Sequence, residues 1–334
     1  MRDTSLSWQK KLAQGFNSVT ELLSYLELPV PLGSILAEKE FPTRIPLSFA
    51  QRMQKGNPND PLLLQVLAVD EELYINKDYS PDPLVELSAN PLKGLIHKYH
   101  GRVLLTLTGV CAVNCRFFFR RHFPYKENNP GRSGWNDICD YINKDPSITE
   151  VILSGGDPLL AADLVLGELI QQLAEIPHVT TLRIHTRIPV VFPERIDPDL
   201  LSILAATRLR KVIVLHCNHA QELDESVRKA CSDLQGAGCH LLNQSVLLTG
   251  INDNPDILAA LSHALFAYGV MPYYLHVLDK VQGAAHFDMN FSKATIIYHQ
   301  LQLMLPGYLL PRLAREEPGK LSKTLLGPTD PNLK

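Results

Sequence analysis

The stretch "GVCAVNCRFFFRRHF" (109–123) carries the residues best suited to chemistry. Cys111 and Cys115 stand at a C-x3-C spacing after an apolar run, and a third sulfur three residues on would complete a three-thiolate loop for a soft metal. That third position holds Phe118, which has no donor atom. Cys139, Cys217, Cys231 and Cys239 lie on other segments, and His122 could reach a metal only if the loop rearranged. Free cysteine is also a common core residue, so the pair alone is open to three readings: a metal site, a metal site short of one ligand, or two packed thiols beside an aromatic patch.

The whole chain bounds those readings. Its 334 residues can bury a full core, and 45% hydrophobic and 20% charged residues describe an ordinary globular protein. A net charge of −3 advertises neither nucleic acid nor an anionic membrane as partner. The opening "MRDTSLSWQKKLAQGF" has no apolar signal-peptide core, and no apolar run is long enough to span a bilayer. Six cysteines are too sparse for a disulfide scaffold and are expected as reduced thiols, which places the protein in the cytoplasm.

Elements able to position these residues follow from the pattern. Residues 1–95 read as an N-terminal helical region: "SVTELLSYLEL" has helical leucine spacing with Ser18 or Thr20 as its start, and prolines around 57–61 then break the chain. From residue 96 to 305, β-branched and leucine-rich runs ("RVLLTLT", "EVILS", "VTTLRIHT", "KVIVLH", "HLLNQSVLL", "PYYLHVL") alternate with helix-length segments. That alternation predicts an α/β fold with about six βα units on a parallel sheet, closed as a partial barrel or left as a doubly wound sheet. Polar residues cluster just where those runs end: Cys111 and Cys115, Ser154-Gly155-Gly156-Asp157, His185-Thr186-Arg187, His216, Asn243-Gln244-Ser245 and Asp279. Each has a plain explanation alone, since Gly-Gly is a common βα turn. Six strands ending alike favour a barrel with its site at the carboxyl ends. Residues 306–334 form a C-terminal segment.

Taken together, "GRVLLTLTG", "CAVNCR", "FRRHFPY", "SGGDPL", "LNQSVLLTGIND" and "PYYLHVLDKVQGAAHF" resemble the lysine 2,3-aminomutase family of radical S-adenosylmethionine (SAM) enzymes. The likeness runs from about residue 40 to 325 and is nearest the branch that supplies (R)-β-lysine for elongation factor P (EF-P) modification. The resemblance implies a partial (β/α)6 barrel of the radical SAM type, a [4Fe–4S] cluster on Cys111, Cys115 and the position of Phe118, and SAM along Ser154, Gly155, Gly156 and Asp157. Gly155 and Gly156 would let the backbone approach closely. His216 and Gln244 would reach the same cofactor pocket. It further implies pyridoxal 5′-phosphate (PLP) on Lys323 in "REEPGKLSKT", with Lys320 as the local rival and Arg102 on the phosphate. Arg120 would meet the carboxylate of an L-lysine substrate, and Asp279 and Glu316 its ε-ammonium. Implied partners are an electron donor such as flavodoxin or ferredoxin and an EF-P lysyl ligase that receives the product.

One position departs from the family pattern. With Phe118 in place of the third thiolate, a SAM-competent cluster is expected to be unstable or absent, and Val110 stands where the family loop usually carries a glycine. The ring of Phe118 is expected to pack with Phe117 and Phe119. Three functions remain open: an aminomutase lacking radical activity, a PLP-, lysine- or partner-binding homologue, and a PLP-only lysine racemase.

Overall fold

A computed structural model describes residues 6–327; the ends of the first and third sequence segments, 1–5 and 328–334, lie outside the described residues. Nine strands form one sheet in strict chain order. They are β1 (Leu95–Tyr99), β2 (Arg102–Thr108), β3 (Glu150–Gly155), β4 (Thr181–Thr186), β5 (Arg210–His216), β6 (Cys239–Leu247), β7 (Met271–Val277), β8 (Arg312–Arg315) and β9 (Thr324–Leu325). Strands β2 to β8 are parallel, in registers such as Val103 with Val151 and Leu182 with Lys211. An antiparallel strand closes each edge, β1 on β2 and β9 on β8.

A helix follows each strand from β2 to β7: Trp135–Lys144, Asp163–Glu175, Pro198–Ala206, Glu225–Gly236, Pro255–Ala267 and Phe291–Met304. Local chemistry fixes their starts. Asp197, Asp224, Asn254 and Asn290 each accept from a backbone N–H in the first turn, relieving donors that a helix cannot satisfy internally. Leu166, Leu169, Ile170 and Leu173 show how one helix face is read from sequence, since this spacing turns them all onto the sheet. Six βα units therefore stand where the strand–helix alternation puts them. The sheet extends beyond them on both sides.

The sheet wraps rather than lying open. Lys98 of β1, Ser154 of β3, His185 of β4, His216 of β5, His276 of β7 and Arg312 of β8 all line one cavity of about 960 Å³. Side chains alternate across a strand, so a shared cavity for every second residue requires a curled sheet. This is a partial barrel with a polar interior.

The N-terminal region braces the barrel through a common apolar core. In the helix Val19–Tyr25, Ser18 is the cap, accepting from Glu21 N at 3.2 Å. Its Leu22 and Leu23, with Phe49, Leu62 and Leu63, are fully buried in the same cluster as Leu105, Leu153 and Ile184 of the strands. Each such side chain contributes about 1.5–3 kcal/mol by leaving water. Among the described residues no helix is long and apolar enough to cross a membrane.

Candidate active site

The cysteine loop leaves β2 and is tied by its backbone to the loop after β3. Gly156 N donates to Thr108 O at 2.6 Å, and Asp157 N donates to Val110 O at 2.8 Å. A Cβ on Gly156 would fall 2.4 Å from Val110 O, and one on Gly155 would fall 2.7 Å from Thr108 O. Gly155 also holds φ +109, a conformation side chains rarely adopt. The glycines thus allow a close approach to the cysteine loop itself, a reason different from the cofactor contact expected of them. Asp157 lies beneath, accepting from Thr186 Oγ1 (2.7 Å) and from the N–H groups of Arg187, Ile188 and Leu159. Burial raises its pKa to about 6 against those hydrogen bonds.

Cys115 is buried, and Arg187 Nη1 donates to its sulfur at 2.6 Å. Cys111 is half-buried, and Arg44 holds its carbonyl at 3.1 Å. Burial pushes both thiols up, with Arg187 opposing it at Cys115. At the third position the Phe118 ring meets Phe119 edge-on, 5.4 Å between centroids. Phe117 does not join that pair. It turns inward onto His216 at 5.6 Å and Phe287 at 6.0 Å, because the tight turn closed by Phe118 N on Cys115 O separates neighbouring side chains. His122 is exposed and bonded to Gln282 O, outside the cavity.

A ladder of alternating charges crosses the cavity. Arg120 grips Glu86 through Nε (2.5 Å) and Nη2 (2.9 Å), and its Nη1 donates to Ser154 Oγ at 3.2 Å. Lys98 Nζ lies 3.1 Å from both Glu86 and Glu316, and Lys323 Nζ lies 2.6 Å from Glu316. Burial would raise the pKa of Glu316, but Lys323 and Lys98 bring it down to about 2. Arg102 stacks on Tyr99 at 4.8 Å and pairs with no carboxylate among the described residues. Asp279 also lines the cavity without an ion pair or side-chain hydrogen bond to a described residue; burial, then Glu316, lifts its pKa to about 7.

Three buried histidines complete the lining. His185, His216 and His276 are all held neutral by desolvation, and Nε2 of His185 and of His216 has no hydrogen-bond partner among the described residues. Gln244 faces the same space from β6. The cavity therefore gathers Arg102, Cys111, Cys115, Arg120, Asp279, Glu316 and Lys323, and leaves Lys320 outside. Sequence reasoning missed Glu86, Lys98, Glu222 and His276. His276 alone had a usable signal, falling two residues before the end of a predicted strand, in the alternation that points side chains inward.

A parallel partial barrel with a cysteine loop at its mouth and a polar, charge-paired interior has the build of a radical SAM enzyme. Comparison with known sequences carries this further. An L-lysine 2,3-aminomutase of Escherichia coli (strain K12) is 49% identical over 322 residues, covering 96% of this chain and 94% of its own. The enzyme of the same name from Haemophilus influenzae is 48% identical over 321 residues (96% and 95%), and that of Clostridium subterminale 35% over 327 residues (96% and 78%). No family model matches. Among solved structures, a radical SAM methyltransferase from Sphaerobacter thermophilus aligns over 66% of this chain and 68% of its own at 14% identity with a TM-score of 0.45. The chain belongs to the L-lysine 2,3-aminomutase family of radical SAM isomerases.

That family works with a [4Fe–4S] cluster and SAM, and with PLP. The two requirements meet different fates in this cavity. No group of three Cys, His, Asp or Glu side chains able to hold a metal exists among the described residues, and Phe118, three residues after Cys115, offers a ring packed on Phe119 and no donor atom. The residues present do not fit a three-thiolate cluster. For PLP they do fit: Lys323 offers an amine inside the cavity, and Arg102 offers a guanidinium that no carboxylate among the described residues pairs with.

Proposed function

We propose that this chain is a lysine 2,3-aminomutase in architecture that binds PLP and L-lysine but, with Phe118 in its cysteine loop, does not carry out the radical step. The supporting observation is the placing of two acids, Asp279 and Glu316, beside Lys323 in the cavity that also holds Arg120. Lys323 would hold PLP by its carbonyl carbon and Arg102 would hold the phosphate. PLP, when bound, supplies a conjugated acceptor for the substrate amine. Arg120 would pair with the α-carboxylate of L-lysine, and Asp279 and Glu316 with its ε-ammonium. A carboxylate desolvated in such a cavity rejects analogues lacking the ammonium, because they leave it unpaired. The neutral histidines add dipoles without positive charge, which suits a site already crowded with cations.

The likeness of the six strings taken together, nearest the EF-P branch, supports (R)-β-lysine as the product of the lineage, passed to an EF-P lysyl ligase, with flavodoxin or ferredoxin as reductant. Anaerobic iron and sulfide reconstitution of the native chain and of Phe118→Cys tests this reading. The variant should gain cluster absorbance, reductive SAM cleavage and β-lysine formation together, and the native chain should show none of the three. Comparable SAM cleavage by the native chain would overturn it.

A further inference from the structure

Both ends of the lysine site are already satisfied by the chain's own charges. Arg120 has its side-on edge, Nε and Nη2, closed on Glu86, while Nη1 is engaged by Ser154. Glu316 is closed on Lys98 and Lys323. Glu86 and Lys98 are themselves paired at 3.1 Å. We propose that Glu86 and Lys98 form an internal surrogate for the ligand's zwitterion, a carboxylate on Arg120 and an ammonium on Glu316, which free L-lysine must displace. The proposal rests on the assignment of Arg120 and Glu316 as ligand-binding groups.

The physical need is plain. An Arg120 buried to 6% exposure, with no carboxylate, would be a desolvated charge with no partner, and Glu316 beside Asp279 would repel its neighbour. The surrogate gives Arg120 its carboxylate and Glu316 an ammonium. It also sets selectivity, since an entering ligand gains only the difference between its own charges and those it replaces. A ligand with one charged end cannot exchange against both. The segment that delivers Glu86 is built under tension: Val85, a β-branched residue, holds φ +50, and the 3-10 turn Glu86–Ala89 begins directly after it. Glu86 N is steadied by Asp82 Oδ1 at 3.2 Å, and Lys98 comes from the edge strand β1. Neither surrogate residue belongs to the six βα units, and Lys98 can leave Glu316 by a side-chain rotation that keeps β1 paired with β2.

Calorimetric titration of the PLP-loaded protein with L-lysine and with cadaverine, which lacks the carboxylate, decides the matter. The native chain should prefer L-lysine; equal binding of the two would mean that Arg120 is not the carboxylate site, and the proposal falls with that reading. Given the preference, Glu86→Gln should bind L-lysine about tenfold more tightly, the scale expected when one like charge leaves a partly screened site, with no such gain for cadaverine, which has no carboxylate to place on Arg120. Lys98→Met should tighten both ligands, because both present an ammonium to Glu316. Weaker or unchanged L-lysine binding by Glu86→Gln would show that Glu86 only orients Arg120 and would overturn the surrogate. If Glu86→Gln fails to fold, Lys98→Met decides alone: unchanged or weaker binding of both ligands overturns it.

Discussion

The sulfur of Cys115 accepts from Arg187, and Arg187 carries that contact into a buried network. Its Nη2 lies 2.6 Å from Gln65 and 2.9 Å from Glu222. Glu222 is fully buried, and Gln65 belongs to the N-terminal region, so the cysteine loop is anchored by groups that no metal supplies. This is how the loop keeps its form around the phenyl ring of Phe118.

Glu222→Ala should destabilise the protein by about 3–5 kcal/mol, because it leaves the Arg187 charge buried and unpaired. Urea denaturation of both proteins measures the difference. A loss under about 1 kcal/mol would mean that water reaches Arg187 and that the network does not hold the loop.

Cys111 and Cys115 should resist alkylation in the native protein at mildly alkaline pH. Burial raises both thiol pKa values, and the thiolate is the reactive form. Mass mapping after iodoacetamide treatment should find both labelled fully in urea and only slowly without it. Rapid native labelling would contradict the packing of the loop.

Asp279 gives a pH signature with a definite sign. Its folded pKa, near 7, lies above the ordinary carboxylate value, so the native state binds the extra proton. Its contribution to stability is therefore complete in acid and declines as pH rises to about 7. Asp279→Asn should raise the melting temperature of the PLP-free protein at about pH 8, with the gain vanishing near pH 4. L-Lysine affinity should move oppositely, rising as pH increases from about 6 to about 8 while Asp279 ionises and the ligand ammonium stays charged. An affinity flat across that range would remove Asp279 from the ligand site.

Borohydride reduction of the PLP-loaded protein should fix the pyridoxyl label on Lys323. Lys323 faces the cavity beside Glu316, whereas Lys320 lies outside it. Peptide mapping that places the label on Lys320 would exclude the assignment.

Much of this was legible in the sequence because the six central strands carry strong β-branched and leucine runs ending in polar residues. β8 and β9, four and two residues long, leave no such pattern, and β1 ("LIHKY") is too polar to show one. Arg102, Arg120 and Lys323 were found through motif strings. Glu86 was not, since its partner Arg120 is 34 residues away and its own neighbourhood of prolines and asparagines reads only as a connector. Glu222 is hidden likewise, 35 residues beyond Arg187. Spacing reveals neighbours along a helix or strand. Charge pairing across a cavity has no such period.

The sheet is wound in strict chain order, and this governs how the molecule comes to exist. Each strand finds its partner in the next stretch of chain, so pairing can propagate with short loop closures throughout. Arg102 and Lys323, however, belong to opposite ends of that order. The two residues can share a cavity only when both ends of the sheet are in place. On the proposed assignment of Lys323 and Arg102, capture of the aldehyde cofactor is therefore a property of the complete sheet, and truncation at either edge should abolish it.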